Sequence, residues 1–171
     1  MNLQEILNKS DLTRNDIIYL LNLQGEDEKE LFRHAGKMKQ ATIGNKVFLR
    51  GLIEMSNVCD KDCLYCGIRK SNAEVSRYAL PEAEIIEAIR FAHANRYGSV
   101  CIQSGELSNS PFIDKIDRII QESNRITNGE IGITLSCGEQ SAETYQRWFN
   151  SGAHRYLLRI ESSSRELYAK I

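Results

Sequence analysis

The feature that most restricts the fold of this chain is a regular alternation of strand-like and helix-like segments after residue 45. Strand-like runs occupy about 47–55, 100–103, 131–135 and 155–160, and a run with apolar residues at helical spacing follows each of them. Alternation with short connections predicts a parallel sheet with right-handed crossovers. The sequence therefore predicts an α/β fold with four βα units, whose chemistry lies at the carboxyl ends of the strands.

Proline and serine mark the predicted helix starts in this α/β part. Pro81 and Pro111 each open an amphipathic run, and proline is favoured in the first turn of a helix. A third helix is predicted from about Ala142, and Ser163 or Ser164 is predicted to cap a last one. Each predicted strand is thus followed by a predicted helix.

Residues 1–44 are predicted to form a helical segment that precedes the α/β part at 45–171. Capping residues and apolar spacing indicate two helices there. The first helix is predicted to be capped by Thr13 with Asp16 and to end at Gly25. The second is predicted over 26–42 and ends at Gly44.

Three of the five cysteines, Cys59, Cys63 and Cys66, follow the first predicted strand in the spacing CxxxCxxC. We expect thiolates this close in sequence to converge on one point. A closed zinc site needs four ligands, and neither a Cys nor a His stands nearby to complete it. Three thiolates suit a 4Fe–4S cluster that keeps one iron open. A redox patch and part of a zinc site are the alternatives.

Composition bounds the partners and the compartment. With 22 basic and 23 acidic residues, the net charge of −1 gives no reason to expect nucleic acid or an anionic membrane as a partner. No run reaches membrane-span length, and the polar start MNLQEILNKS is unlike a secretory signal. We therefore expect a cytoplasmic protein, where a cysteine cluster indicates metal binding or catalysis rather than disulfides.

The CxxxCxxC spacing, with the aromatic Tyr65 directly before the last cysteine, resembles the signature of the radical SAM superfamily. In that family the open iron of a 4Fe–4S cluster is chelated by S-adenosyl-L-methionine. An electron from the cluster then breaks the sulfonium bond and produces a 5′-deoxyadenosyl radical. The resemblance implies both cofactors for this chain.

Polar groups at the ends of the other strands fit the chemistry of that cofactor. Glu106 or Glu161 could accept hydrogen bonds from its ammonium, and Arg159 could pair with its carboxylate. Ser104 and Ser136 are small donors that would not crowd a ligand. As an alternative, Arg159 and Glu161 pair with each other, because residues two apart on a strand share a face.

Longer runs resemble one family within the superfamily, the HydE maturases of FeFe-hydrogenase: GLIEMSNVCDKDCLYCGIRKSN, RYALPEAEI, IQSGE, TLSCGE and RYLLRIE. The resemblance covers 45–171, and biotin synthase and methylornithine synthase share the general scheme. It implies cluster ligands Cys59, Cys63 and Cys66, cofactor-binding residues Tyr65, Ser104, Gly105, Glu106 and Glu161, and cavity-lining residues Thr134, Ser136 and Arg159. Ser136 and Arg159 remain cofactor-binding candidates from their chemistry, and Cys137 is a cavity-lining candidate from its place at a strand end. The resemblance assigns no catalytic residue beyond the cluster.

The resemblance also implies a substrate and partners. HydE enzymes are thought to act on a small iron–carbonyl–cyanide precursor of the hydrogenase cluster, with an electron donor and other maturases. Their eight-stranded barrel takes about 250 residues, so the four strands here correspond to the N-terminal half of the family pattern. The alternatives are a non-catalytic cluster-binding half domain, a half barrel completed by a second chain, and an enzyme like methylornithine synthase or biotin synthase.

The remaining chemistry-bearing residues favour structural roles. Cys101 lies inside an apolar strand and is predicted to be a small core residue. Cys137 stands at a strand end, where packing competes with a role near the cluster. Trp148 and Phe149 are both predicted to lie in the core. Three histidines follow no ligand spacing: His34, His93 and His154.

Overall fold

A computed structural model describes residues 2–171 of the chain. It contains two compact units, residues 2–47 and Phe48–Ile171. Within the described residues, no helix combines the length and the apolar character needed to cross a membrane.

The first unit is helical, with α1 at Leu3–Leu7, α2 at Arg14–Leu21 and α3 at Gly25–Ile43. The predicted cap of α2 is present: the Thr13 hydroxyl accepts from the Asp16 N–H, and the Asp16 carboxylate accepts from the Thr13 N–H (2.9 Å). Lys9 Nζ donates to both carboxylate oxygens of Asp16 (2.8 and 2.9 Å). The Lys9 and Thr13 hydrogen bonds lower the pKa of Asp16 to about 2.

One predicted helix end in this unit is wrong. Gly25 was expected to stop α2, but α2 ends at Leu21 and Gly25 is the first residue of α3. Its φ of +67° explains the glycine, because the turn between the two helices needs a left-handed backbone at this point. Gly44, with φ +70°, ends α3 as predicted.

The second unit is a parallel sheet flanked by helices. Its strands are β1 (Arg50–Ser56), β2 (Ser99–Ser104), β3 (Gly132–Ser136) and β4 (Arg155–Tyr156), and its helices are α4 (Glu82–Ala94), α5 (Ser110–Thr127), α6 (Ala142–Asn150) and α7 (Arg165–Tyr168). The strands lie in the order β1-β2-β3-β4, and all three pairs are parallel. This confirms the predicted half barrel of four βα units.

The helix starts follow the predicted signals. Pro81 is the residue before α4, and Pro111 lies in the first turn of α5. Asn109, Ser141 and Ser164 each accept a hydrogen bond from the backbone N–H three residues further on, which caps α5, α6 and α7. Of the two serines considered for the last cap, Ser164 provides it.

Two predicted strand boundaries are wrong, because a strand extends only as far as its neighbour. The fourth strand was expected over 155–160. Since β3 ends at Ser136, the last pairing bond is the Leu157 N–H to the Leu135 carbonyl (2.8 Å). The first strand was expected from residue 47, but pairing with β2 begins at Arg50.

The apolar core lies between one face of the sheet and helices α4, α5 and α6. Strand residues such as Ile53, Ile102 and Leu135 are buried against Ile89 of α4 and Ile116 of α5.

The core prediction for α6 is right for Trp148 and wrong for Phe149. Trp148 is buried and donates its indole N–H to the Ile113 carbonyl (3.2 Å), whereas Phe149 is 67% exposed. Consecutive helical residues point about 100° apart, so only one of the two aromatic rings can face the sheet.

The opposite face of the sheet carries mixed polar and apolar side chains. Because partners in parallel register project to the same face, the strands form rows across it, of which the two nearest the carboxyl ends matter here. These two rows are Leu52, Cys101, Thr134 and Arg155, and Glu54, Gln103 and Ser136. We call this the open face of the sheet.

Candidate metal centre at the carboxyl end of the sheet

The loop between β1 and α4, residues 57–80, carries the three clustered cysteines and is called the cysteine loop below. Cys59, Cys63 and Cys66 are half-buried, and all five cysteines of the chain are free thiols. A turn closes around the last two of the three, because the Cys66 N–H donates to the Cys63 carbonyl (2.9 Å). The motif therefore lies in a compact loop at the end of β1.

One hydrogen bond joins the end of β1 to the segment after β2, and two more dock the cysteine loop against that segment. The Gly105 N–H donates to the Ser56 carbonyl (3.1 Å), and the Asp60 N–H donates to the Glu106 carbonyl (2.9 Å). The Glu106 N–H donates to Cys59 Sγ (3.3 Å). This last bond attaches the first cysteine of the motif to the segment that follows β2.

Gly105 allows this close approach. A Cβ at this position would lie 2.2 Å from the Val58 carbonyl oxygen and 2.7 Å from Cys59 Cβ. Any side chain here would push the cysteine loop away from the sheet. The glycine of the QSGE segment therefore has a packing role beside the first cysteine.

Glu106 is held in one orientation at the same rim. One carboxylate oxygen pairs with Lys61 Nζ (3.1 Å), and the other accepts from the Glu139 N–H (2.9 Å). The Glu106 hydrogen bond raises the pKa of Lys61. Gly138, with φ +74°, leaves the space that the Glu106 side chain fills. The carboxylate is thus fixed among polar partners.

Tyr65 and Glu161 meet beside the second cysteine. Desolvation, followed by the negative charges of the Cys63 thiolate and the Glu161 carboxylate, raises the pKa of Tyr65 to about 12. Glu161 has a φ of +58°. A left-handed backbone is uncommon for a residue other than glycine and is typical of functional sites. The structure therefore brings Glu161 to the cysteine loop, although β4 has ended before it.

The predicted residues of the open face are placed differently from one another. Thr134 and Ser136 are buried on this face of β3. Burial raises the pKa of the Cys101 thiol, and the charges of Arg50 and Arg159 partly offset that rise. The Arg159 guanidinium therefore acts on the same face.

Cys137 is buried, whereas Ser104 is half-buried at the end of β2. Cys137 belongs to the apolar core, and its burial raises the pKa of the thiol to about 11. This placement agrees with a packing role rather than with lining a cavity. The Ser104 hydroxyl donates to the Gly105 carbonyl (2.7 Å) at the end of β2.

The expectation that the three thiolates converge on one point stays a prediction for a cluster, because the structure bears only on a single metal ion. Among residues 2–171, no group of three or more Cys, His, Asp or Glu side chains has the geometry to hold one metal ion. In a 4Fe–4S cluster the cysteines bind separate irons, so their sulfur atoms need not meet around a single ion. Three free thiols in one docked loop fit the three cysteine ligands of such a cluster.

Sequence reasoning missed two basic residues in the cysteine loop. Lys61 pairs with Glu106, and Arg77 donates to four loop carbonyls. A signal existed for Lys61. This lysine lies between two cysteines of the loop after β1, and a glutamate follows β2, so the two come close if both strand ends share a rim. The sequence holds no comparable signal for the acceptors of Arg77.

Comparison with known proteins identifies relatives of the whole site. The model of the radical SAM superfamily matches residues 53–171. The chain is 35% identical over 170 residues to the [FeFe] hydrogenase maturase subunit HydE of Thermotoga maritima, covering 98% of this chain and 47% of that protein. It is 29% identical over 171 residues to 3-methylornithine synthase of Methanosarcina acetivorans, covering 98% and 48%.

A solved structure has the same fold. The crystal structure of methylornithine synthase matches with a TM-score of 0.82 at 26% identity, covering 99% of this chain and 50% of that one. The chain thus spans about half the length of the curated relatives it matches.

Proposed function

Because this chain belongs to the radical SAM superfamily, we propose that Cys59, Cys63 and Cys66 bind one 4Fe–4S cluster and that S-adenosyl-L-methionine binds beside it. The observation that carries this proposal is the docking of all three cysteines at the carboxyl end of the sheet, with a backbone N–H donated to Cys59 Sγ. When bound, the cluster supplies the one electron that splits the sulfonium into methionine and a 5′-deoxyadenosyl radical.

The rim residues have binding roles in this proposal. The Glu106 carboxylate, already oriented by the Glu139 N–H, accepts from the ammonium of S-adenosyl-L-methionine. Glu161 and Tyr65 lie beside Cys63 and contact the same cofactor. Arg159 pairs with the cofactor carboxylate, because a guanidinium matches a carboxylate with two parallel hydrogen bonds.

The other predicted residues complete the binding surface. Gly105 keeps the cysteine loop against β2. Three small hydroxyl residues border the site without crowding it: Ser104, Thr134 and Ser136. Of these, Thr134 and Ser136 lie on the open face of the sheet. The five free thiols fit a reducing compartment, so we propose that the chain works in the cytoplasm.

We propose that the pathway is assembly of the FeFe-hydrogenase cofactor and that the substrate is a small iron–carbonyl–cyanide precursor. The 35% identity to a HydE maturase supports this choice. An electron donor and other hydrogenase maturases are the proposed partners. The sheet has edges at β1 and β4, and Leu52 on the open face is 60% exposed, which supports a further chain or segment closing the barrel.

Two other functions have support of their own. A methylornithine-synthase-like or biotin-synthase-like enzyme would use the same cluster and cofactor on an organic substrate, and the TM-score of 0.82 to methylornithine synthase favours this alternative. A non-catalytic cluster-binding half domain is favoured by the open face, because a radical needs an enclosed cavity to avoid side reactions.

The test begins with anaerobic reconstitution of the 171-residue chain with iron and sulfide. The EPR spectrum of the reduced protein is recorded with and without S-adenosyl-L-methionine. We expect a reduced-cluster signal that shifts when the cofactor is added. The Cys63→Ala variant should lose the reduced-cluster signal. The Cys101→Ala variant, which lacks a buried thiol of β2, should keep that signal.

Product analysis separates the alternatives. Equal amounts of 5′-deoxyadenosine and methionine, formed only with reductant, support an enzymatic function. If formation of these products depends on an added iron–carbonyl–cyanide complex, the hydrogenase pathway is supported. A cluster whose signal ignores the cofactor supports the half domain. Retention of the signal in Cys63→Ala would refute the assigned ligands.

A further inference from the structure

Arg77 lies near the end of the cysteine loop, and its guanidinium points back into that loop. Nη1 donates to the carbonyl oxygens of Asn57 (2.7 Å) and Ile68 (2.8 Å). Nη2 donates to those of Arg69 (2.6 Å) and Asn72 (3.2 Å). Each terminal nitrogen of a guanidinium carries two hydrogens, so the four bonds use every terminal N–H of the side chain.

The four acceptors bracket the three cysteines. Asn57 precedes Cys59, and the other three acceptors follow Cys66. Residues 57–78 form turns, bends and irregular backbone, so much of their backbone is outside the hydrogen-bonding pattern of a helix or strand. A single cation therefore joins the chain before the first cysteine to the chain after the last, and it supplies donors that secondary structure supplies elsewhere.

The backbone around Arg77 is fixed by bonds that do not involve its side chain. Asn57 Nδ2 donates to the Ser76 carbonyl (2.8 Å), and the Tyr78 N–H donates to Asn57 Oδ1 (2.8 Å). The Ser56 hydroxyl donates to the Tyr78 carbonyl (3.0 Å). The residues on both sides of Arg77 are thus attached to the end of β1, which gives the guanidinium a defined starting point.

We propose that Arg77 is a positioning residue that holds the cysteine loop in its cluster-binding conformation before any cluster is present. The inference rests on the proposed function, since it assumes that the three loop cysteines bind a cluster. Arg77 acts through backbone carbonyls rather than through the sulfur atoms. Lysine cannot replace it, because one ammonium with three hydrogens cannot serve four carbonyls spread along the loop.

The test compares Arg77→Lys with Arg90→Lys in the 171-residue chain. Arg90 is a matched control, because it is exposed on α4 and pairs only with Glu87 through Nε (3.2 Å) among the ion pairs of the described residues. Amide hydrogen exchange of 57–72 is measured in the cluster-free protein, together with thermal unfolding. Iron and sulfide per chain, and the reduced EPR spectrum, are measured after anaerobic reconstitution.

We expect exchange within 57–72 to be at least about tenfold faster in Arg77→Lys, because charged hydrogen bonds to the loop are lost. The loss of iron should exceed about half, because a ligand loop that is no longer held rarely presents its site correctly. The unfolding midpoint should fall by no more than about 6 °C, and exchange in α4 and α5 should not change. Arg90→Lys should match the parent in every measurement.

Two results would overturn the proposal. In the first, Arg77→Lys keeps the loop exchange and the iron content of the parent. In the second, exchange in α4 and α5 rises along with that of the loop and the unfolding midpoint falls in proportion, which would make Arg77 a general stabiliser. If the parent binds no cluster, the proposed function fails, and the exchange data alone then decide whether Arg77 holds the loop.

Discussion

Replacing Gly105 by alanine tests how closely the cysteine loop must approach β2. The added Cβ would lie 2.2 Å from the Val58 carbonyl oxygen and 2.7 Å from both the Val58 carbonyl carbon and Cys59 Cβ. Real Cβ atoms essentially never come closer than 3.0 Å to such atoms. The obstacles are backbone atoms and a short side chain, so the loop itself has to move by most of an ångström.

That movement breaks the contacts that dock the loop. The three hydrogen bonds at this point are worth about 1 kcal/mol each, so their loss costs about 3 kcal/mol. Alanine gives back about 0.4–1 kcal/mol by restricting the unfolded chain. The net loss of about 2 kcal/mol should lower the unfolding midpoint by about 4–8 °C for a chain of this size.

The assay is thermal unfolding of the cluster-free chain, followed by measurement of bound iron after reconstitution. Gly67→Ala is the control, because Gly67 lies in the same loop with no atom within 4 Å of its added Cβ. Its effect should stay within about 0.5 kcal/mol. If Gly105→Ala unfolds at the same temperature as Gly67→Ala and binds as much iron, the close approach does not hold the loop in place.

Two further predictions concern cysteine reactivity and acid stability. Brief treatment of the native, cluster-free chain with iodoacetamide near pH 8 should label the three loop cysteines. Cys101 and Cys137 should stay unlabelled, because burial keeps their thiols protonated. Peptide mass spectrometry measures the labelling, and early labelling of Cys137 would contradict its placement in the core. Asp16 has a folded pKa of about 2, below its ordinary 3.8, so its pairing with Lys9 stabilises the helical unit above pH 4 and is lost as the pH falls through 2. Asp16→Asn should therefore lower the unfolding midpoint at pH 7 and have little effect at pH 2; an equal effect at both values would show that the carboxylate charge is not the cause.

Much of the fold could be predicted from local signals. The four βα units, the capping box at Thr13 and the helix starts at Pro81 and Pro111 each depend on residues close together in the sequence. The errors occur where a distant partner decides. The fourth strand stops near Tyr156 because β3 provides no further neighbour, and Phe149 is exposed because Trp148 takes the side of α6 that faces the sheet.

The candidate site divides in the same way. By itself the sequence determined that three cysteines share one loop at the end of a strand, because their spacing and the strand pattern are both local. Only the tertiary structure decided that Glu106 donates its N–H to Cys59 Sγ across 47 positions, that Lys61 pairs with the Glu106 carboxylate, and that Arg77 closes the loop. These contacts depend on the parallel packing of strands whose ends meet at one rim, and short-range patterns of residues do not specify which partners meet there.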